Sequence, residues 1–265
     1  MYKRQPLLAN PEDDGLKRKN IDYKAGDFEG RGYLVLPKNA SAEKPVPGVI
    51  VVHGWWGQDD YARKRADMLA ELGYAAFAVD MYGGGRVTDK PDEAGQMMVR
   101  SIIEVHITKA RFEYGMHAFQ AQPEVDSTKI AAIGHDVGGR IALQMAVCNL
   151  PDLHAVAAFH SGVKLEIPKG TELIKAKILV CHAQDDFRIP EEILTQFKAD
   201  MKALNADLNF EVFPGTKAGF TDPRSPVFAQ KQGIDVAYNK EADDKSWAML
   251  KDLLVSVFAP KVEVE

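Results

Sequence analysis

The chain has 265 residues and a formal net charge of −5, from 38 acidic and 33 basic side chains. That length suits one large domain whose apolar core needs no disulfide or metal. The lack of a basic stripe argues against nucleic acid as a partner, and no apolar run is long enough to span a membrane. The two cysteines, Cys148 and Cys181, stand in apolar stretches and are expected to be reduced. The first ten residues lack the apolar core of a signal peptide, so a cytoplasmic location is expected.

The predicted elements alternate between strands and helices along most of the chain. Residues 1–30 are polar and are expected to form an irregular N-terminal extension, followed by one domain over residues 31–260. Hydrophobic periodicity predicts strands at 32–36, 48–53, 75–80, 130–133, 154–160, 177–182 and 208–213, and helices at 60–72, 91–122, 138–148, 190–204 and 239–258. Residues 214–238 are expected to be loops. This alternation predicts the α/β class, with a doubly wound, mostly parallel sheet covered by helices on both faces.

Residues 134–139 read Gly-His-Asp-Val-Gly-Gly, between an apolar run and an amphipathic run. A strand, a tight glycine-flanked turn and a helix form the setting of a nucleophile elbow, which projects one side chain from a strained turn. Here that side chain is Asp136, and the first amides of the helix, beginning with Val137, can hold an oxyanion. The simpler alternative is an ordinary turn in which Asp136 caps the helix.

Other candidate residues follow the predicted strands, because parallel sheets place their sites at the carboxyl ends of strands. The segment His53-Gly-Trp-Trp-Gly57 follows a buried strand, and its loop can supply a second oxyanion amide from Trp55. Asp186 follows a later strand and is the candidate acid of a triad in the order nucleophile, acid, base. The base should follow the last predicted strand, but no histidine occurs anywhere after His182.

These segments resemble the dienelactone hydrolase family of α/β-hydrolases over nearly the full length of the chain. The matching stretches include Val51-Val-His-Gly-Trp-Trp-Gly57, Val79-Asp-Met-Tyr-Gly83, Phe159-His160 and Gly219-Phe-Thr-Asp-Pro223. The resemblance implies a single α/β-hydrolase domain that hydrolyses small esters or lactones. We find no metal-binding spacing and no phosphate-binding glycine loop, so neither a metal nor a cofactor is expected.

The chain departs from the family pattern at the positions where the family has its catalytic residues. The family carries a nucleophilic Cys or Ser where this chain has Asp136, and a His where this chain has Ala218. Family members with this His-x-Trp-Trp-Gly loop usually carry a Glu where this chain has Gly54, and its loss avoids placing two carboxylates together. By resemblance, Asp186 and the amides of Trp55 and Val137 keep their family roles. The pocket is expected to be completed by His53, Gly54, Trp56, His135 and His160.

The elbow Gly-His-Asp-Val-Gly-Gly-Arg also resembles haloalkane and haloacetate dehalogenases and epoxide hydrolases over about a dozen residues. In those enzymes an aspartate attacks carbon to form an alkyl ester, and a water activated by a histidine hydrolyses it. His135, His160 and His182 are weighed as substitute bases, but each is more simply a structural histidine.

Two functions from different classes therefore remain open. The first is a hydrolase of small esters, lactones or related electrophiles, with Asp136 at the nucleophile position and the base position vacant at Ala218. The second is an impaired or inactive member that binds a small ligand or a partner, or an engineered active-site variant. The expected partner is a small molecule, and the sequence leaves the oligomeric state open.

Overall fold

The computed structural model describes residues 3–4 and 14–259 and contains a two-stranded sheet and an eight-stranded sheet. The strands are β1 (Lys3–Arg4), β2 (Lys17–Ala25), β3 (Phe28–Leu36), β4 (Val46–Val52), β5 (Ala75–Val79), β6 (Arg86–Val87), β7 (Val125–His135), β8 (Leu153–Phe159), β9 (Lys177–Ala183) and β10 (Leu208–Phe213). The helices are α1 (Asp60–Glu71), α2 (Pro91–Ile102), α3 (Val105–Gln120), α4 (Val137–Val147), α5 (Glu191–Ala203), α6 (Ser225–Gln232) and α7 (Lys240–Phe258).

The large sheet has the strand order β10-β9-β8-β7-β4-β5-β3-β2. Only β3 pairs antiparallel with its neighbours, β2 and β5, and the other pairs within this sheet are parallel. The predicted doubly wound, mostly parallel sheet is therefore confirmed.

Helices cover both faces of the sheet because its central strands are apolar on both sides. Ile50 and Val52 of β4 face one cluster, which includes side chains from α3, α4 and α5. Val49 and Val51 face the opposite cluster, with side chains from α1 and α7. Successive residues of a strand point to opposite faces, so a continuous β-branched run fills both layers of the core.

The structure corrects the prediction in three places. Residues 17–25 were expected to be irregular, but they form β2 and pair with β3 along its whole length. The predicted helix over 91–122 is two helices, because α2 ends at Ile102 and α3 begins at Val105. The loop-rich stretch 214–238 contains α6. Within the described part of the chain, no helix is long and apolar enough to cross a membrane.

Parallel strands bring their carboxyl ends to one edge of the sheet. There β4 leads into the loop from His53, β7 into Asp136, β8 into His160 and β9 into the loop that carries Asp186. The loop after β10 carries Ala218. This shared edge places the candidate residues side by side.

Candidate active site

The turn at Asp136 has the geometry of a nucleophile elbow. β7 ends at His135 and α4 begins at Val137, so Asp136 alone forms the turn, with φ 53° and ψ −120°. A positive φ is costly for a residue with a side chain and persists only where the surroundings enforce it. A Cβ on Gly134 would overlap the backbone of Gly138, so only glycine allows the two segments to approach this closely. Asp136 makes no capping hydrogen bond to α4, so the alternative of a simple helix cap is wrong.

Asp136 lies in the wall of a cavity of about 570 Å³. Most of the predicted pocket residues line this cavity, namely Gly54, Trp55, Trp56, His135, His160 and Ala218. The cavity is suited to a small organic molecule in volume, and Tyr61, Phe187 and Phe228 add further aromatic walls. Three predicted site residues, His53, Val137 and Asp186, are outside the lining and support it from behind.

Arg188, which the sequence analysis missed, lies between Asp136 and Asp186. Its Nη1 lies 3.3 Å from Oδ1 of Asp136. Its Nε donates to Oδ1 of Asp186 at 2.8 Å, and its Nη2 donates to Oδ2 of Asp186 at 2.8 Å. The guanidinium therefore binds Asp186 with both arms and reaches Asp136 with its remaining terminal nitrogen. In a Ser-His-Asp type of triad, a histidine would make both of these contacts.

This arrangement sets the charge state of the two carboxylates. Desolvation in the cavity raises the pKa of Asp136, and the Arg188 cation opposes part of that rise. Burial also acts to raise the pKa of Asp186, but its hydrogen bonds from Arg188 prevail and lower it. The pKa of Arg188 is raised, chiefly by its hydrogen bonds to Asp186. Arg188 is therefore a fixed cation and cannot accept a proton as a histidine would.

His53 was predicted to line the pocket, but it is buried behind the Trp55 loop. Its Nε2 accepts a hydrogen bond from the amide of Met81 at 3.2 Å, so its Nδ1 carries the proton and donates to the carbonyl of Gly54 at 2.8 Å. Burial lowers its pKa. With both nitrogens engaged in this way, His53 holds the loop in place and is not available as a base.

His160 lines the cavity, and its Nε2 ends a chain of hydrogen bonds. Arg65 Nε, which can only donate, lies 3.2 Å from the hydroxyl of Tyr61. The Tyr61 hydroxyl lies 2.6 Å from Oγ1 of Thr221, which lies 2.9 Å from Nε2 of His160. Nε2 of His160 is thus engaged with Thr221, and its Nδ1 is buried with no hydrogen-bond partner among the described residues. Burial lowers the pKa of His160 to about 4, so it is neutral at pH 7 and a weak base.

The two other histidines near the edge are also poor bases. His135 stacks on Phe159, with ring centroids 4.9 Å apart, and burial holds its pKa well below the usual range. His182 is buried beside Phe210 and does not line the cavity of Asp136. No described histidine therefore replaces the base that the family would place at Ala218.

Gly54 lies directly against the elbow. A Cβ at this position would stand 3.9 Å from Cβ of Asp136 and 3.4 Å from the carbonyl oxygen of His135. A Glu at position 54, as the family usually has, would therefore bring a second carboxylate close to Asp136. The next residue, Trp55, is held through its carbonyl, which accepts a hydrogen bond from the Tyr82 hydroxyl at 3.0 Å. That the amides of Trp55 and Val137 form an oxyanion hole stays a prediction.

A second arginine, also missed from the sequence, lines the far part of the cavity. Arg224 donates to Asp222 through Nε at 3.0 Å and to Asp59 through Nη2 at 2.7 Å, and it lies 5.4 Å from the ring centroid of Tyr61. Neither arginine could be assigned from spacing, because each lies two residues after an aspartate in an irregular loop. Residues 14–259 contain no cluster of three side chains placed to hold a metal ion.

Comparisons with known proteins agree with this geometry. The model of the dienelactone hydrolase family matches residues 31–258. Protein usf of Aquifex pyrophilus is 28% identical over 233 residues, which cover 83% of this chain and 97% of that protein. Carboxymethylenebutenolidase of Pseudomonas putida is 24% identical over 179 residues, which cover 64% of this chain and 72% of that protein.

Solved structures show the same likeness. The crystal structure of a dienelactone hydrolase-like promiscuous phosphotriesterase from metagenomic libraries matches with a TM-score of 0.86 and 29% identity, covering 92% of this chain and all of that one. The family model covers well over half of the sequence. The chain therefore belongs to the dienelactone hydrolase family, a group of α/β-hydrolases that act on small esters and lactones.

Proposed function

We propose that this chain is a hydrolase in which Asp136 attacks a saturated carbon of small electrophilic substrates, such as halocarboxylates and epoxides, and forms a covalent ester with them. The observation that carries the proposal is the place of Asp136, alone in a strained elbow turn on the wall of the 570 Å³ cavity. A carboxylate held there has the position that Cys or Ser takes in other members of the superfamily. Small esters and lactones are the substrate class of the family, and halocarboxylates and epoxides are the related electrophiles that suit a carboxylate nucleophile.

The charge arrangement supports Asp136 as a nucleophile. Only the carboxylate form attacks, and the Arg188 cation at 3.3 Å favours that form against desolvation. The ion pair engages Oδ1 alone, and the side chain of Asp136 keeps 28% of its surface exposed. One carboxylate oxygen is thus held by Arg188 while the side chain remains open to the cavity.

The first step balances without a further reactant. With a haloacetate, an Asp136 oxygen bonds to the carbon that carries the halogen, and the carbon–halogen bond breaks to release halide. With an epoxide, the same attack opens a ring carbon–oxygen bond, and the alkoxide takes a proton from water. The sequence predicts that the amides of Trp55 and Val137 act in the second step, where they would stabilise the oxyanion that forms when water attacks the ester.

The second step, hydrolysis of the ester on Asp136, has no general base among the described residues to activate water. Water must attack the ester, and a general base typically contributes about 10²- to 10⁴-fold to such a step. Arg188 cannot accept a proton, Ala218 has no proton acceptor, and His160 has its Nε2 bonded to Thr221 and a pKa of only about 4. We expect the ester on Asp136 to form readily and to be hydrolysed slowly.

Covalent trapping tests this proposal. The purified chain is incubated with bromoacetate or a small epoxide and its intact mass is recorded, followed by peptide mapping. We expect one adduct on Asp136 that hydroxylamine removes, because hydroxylamine cleaves esters and leaves thioethers on Cys148 or Cys181 intact. Asp136→Asn, which keeps the shape of the side chain, is the matched control and should carry no adduct that hydroxylamine removes. A mass that stays unchanged, or an equal hydroxylamine-sensitive adduct in the Asn variant, would refute the proposal.

A second candidate function is ligand binding without turnover. It is favoured by one observation, that Arg188 occupies both oxygens of Asp186, the residue that would otherwise orient a base. In that case esters and lactones should bind in the cavity with no adduct on Asp136 and no product. The trapping experiment separates the two candidates.

A further inference from the structure

A second cleft of about 670 Å³ lies beside the main cavity, and helix α2 contributes to both. Met97 lines the second cleft and Met98 lines the main cavity. Three guanidinium groups, from Arg86, Arg100 and Arg111, line the second cleft. Neither the family resemblance nor the proposed chemistry of Asp136 uses any of these arginines.

Arg111 is partly buried, and its positive charge has no carboxylate beside it in the described part of the chain. It donates Nη1 to the carbonyl of Met81 at 3.0 Å, and its guanidinium carbon lies 4.5 Å from the ring centroid of Phe28. Its Nε is buried and has no hydrogen-bond partner within the described residues. Desolvation lowers its pKa, as expected for a buried cation without sufficient compensation.

Asp80 is near enough to favour the charged form of Arg111, but both of its carboxylate oxygens already accept hydrogen bonds from backbone amides. It accepts hydrogen bonds from the amides of Arg31, Tyr82, Gly83 and Gly85, at 2.7 to 3.1 Å. Three other arginines, Arg65, Arg188 and Arg224, each form an ion pair with an aspartate. Arg111 thus differs from them in having no carboxylate as a direct partner in residues 14–259.

Arg100 reaches the same cleft from the exposed surface of α2. No acceptor for its guanidinium is found along the described chain. Two carboxylates, Asp27 and Glu29, also belong to the cleft, and Glu29 pairs with the exposed Lys24 at 2.8 Å. The lining therefore carries three cations against two anions, and one of the anions pairs with an exposed lysine.

We propose that this second cleft binds the phosphate group of a small phosphorylated molecule, held by Arg100 and Arg111 with Arg86 beside them. Guanidinium groups match phosphate in geometry, and phosphate offers enough oxygens for more than one arginine at once. Asp27 suits the other end of such a ligand, because an ionised carboxylate accepts hydrogen bonds from hydroxyl groups.

A hydrogen bond also connects a residue of this cleft with a residue of the main cavity. Tyr82 lines the cleft, and its hydroxyl donates to the carbonyl of Trp55, which lines the main cavity. A phosphate compound bound in the cleft therefore lies next to the residue that fixes the Trp55 loop. The binding itself does not depend on the proposed reaction of Asp136.

Isothermal titration calorimetry at constant ionic strength tests this proposal on the whole chain. The titrants are inorganic phosphate, a hexose 6-phosphate and the same hexose without phosphate. We expect saturable binding of one phosphate compound per chain and none of the free hexose. Binding of both phosphate compounds would show that the phosphate group suffices, and binding of the sugar phosphate alone would show that its hydroxyl groups are also needed.

The variants are chosen so that the fold is preserved. Arg100→Gln removes an exposed side chain and should weaken binding about ten-fold, as expected for one charge-assisted contact. Lys251→Gln removes the same charge from the exposed face of α7, and Arg188→Gln removes a cation of the main cavity. Both controls should bind phosphate within about two-fold of the parent chain. The proposal is overturned if no phosphate compound binds, or if either control weakens binding as much as Arg100→Gln does.

Discussion

The guanidinium of Arg188 lies 3.3 Å from the carboxylate of Asp136, so the residue in the nucleophile position is paired with a permanent cation. A histidine in this place could take a proton from water and return it, whereas an arginine cannot. The pairing keeps a carboxylate in its reactive form but supplies no base for hydrolysis. The site is therefore suited to the first half of a covalent mechanism.

Replacing Arg188 should change the pH dependence of labelling at Asp136. Desolvation already raises the pKa of Asp136 and Arg188 opposes it, so Arg188→Gln should raise that pKa further. Only the ionised form attacks, so labelling is lost as pH falls through the pKa, and in the variant this loss occurs at higher pH. The rate of adduct formation with bromoacetate, measured from pH 4 to 9, gives the midpoint. Arg188→Lys should keep the parent midpoint, and identical profiles for the parent and Gln chains would contradict the account.

Restoring a histidine at position 218 should not suffice by itself. The sequence suggested that Asp186 stands ready to orient such a histidine, but both of its oxygens already accept hydrogen bonds from Arg188. Ala218→His alone should therefore leave ester turnover low, and Ala218→His combined with Arg188→Ser should raise kcat by about 10²-fold or more. Steady-state hydrolysis of nitrophenyl acetate measures both. Equal activity of the single and double variants would show that Arg188 does not block the base.

The sequence predicted the sheet well because its signals are local. The β-branched runs of β4 and β5 and the glycines around Asp136 each specify one structure over a few residues. The strand at Lys17–Ala25 was missed because it is an edge strand rich in polar residues, without the apolar run of a buried strand. Arg188 was missed because its role depends on two aspartates. Asp136 is distant in sequence, and Asp186 lies in the same irregular loop as Arg188. Spacing along the chain cannot show that such side chains meet.

The elbow makes a prediction about stability. Gly134→Ala would place a methyl group on the backbone of Gly138, which belongs to α4 and cannot move without shifting the helix. We expect a loss of about 3 kcal/mol in the free energy of unfolding, measured by urea denaturation. The matched control is Gly95→Ala in α2, where a Cβ meets nothing within 4 Å and which should be stabilised by about 0.5–1 kcal/mol. A tolerated Gly134→Ala would mean that the elbow is less tightly packed than described.

The buried neutral His160 should make the fold sensitive to acid. Its pKa is about 4 in the folded chain, because it is buried, and about 6.5 in the unfolded chain. The unfolded state therefore binds more protons between these values, and stability is lost as pH falls below about 6.5. The expected contribution is about 2 kcal/mol between pH 7 and pH 5. His160→Asn suits the positive φ of 40° and should lose less stability over this range, measured by urea unfolding at both pH values. An unchanged pH dependence in the variant would contradict the neutral, buried state of His160.

Halide release over time tests most directly that Asp136 reacts once and then lacks a base. Bromoacetate is mixed with a known amount of the chain, and bromide is followed with an ion-selective electrode. The account predicts a burst of about one bromide per chain, followed by turnover about 10²- to 10⁴-fold slower, and no burst with Asp136→Asn. Sustained release at the initial rate would show that another group activates water, and release equal to that of the Asn variant would show that Asp136 is not a nucleophile.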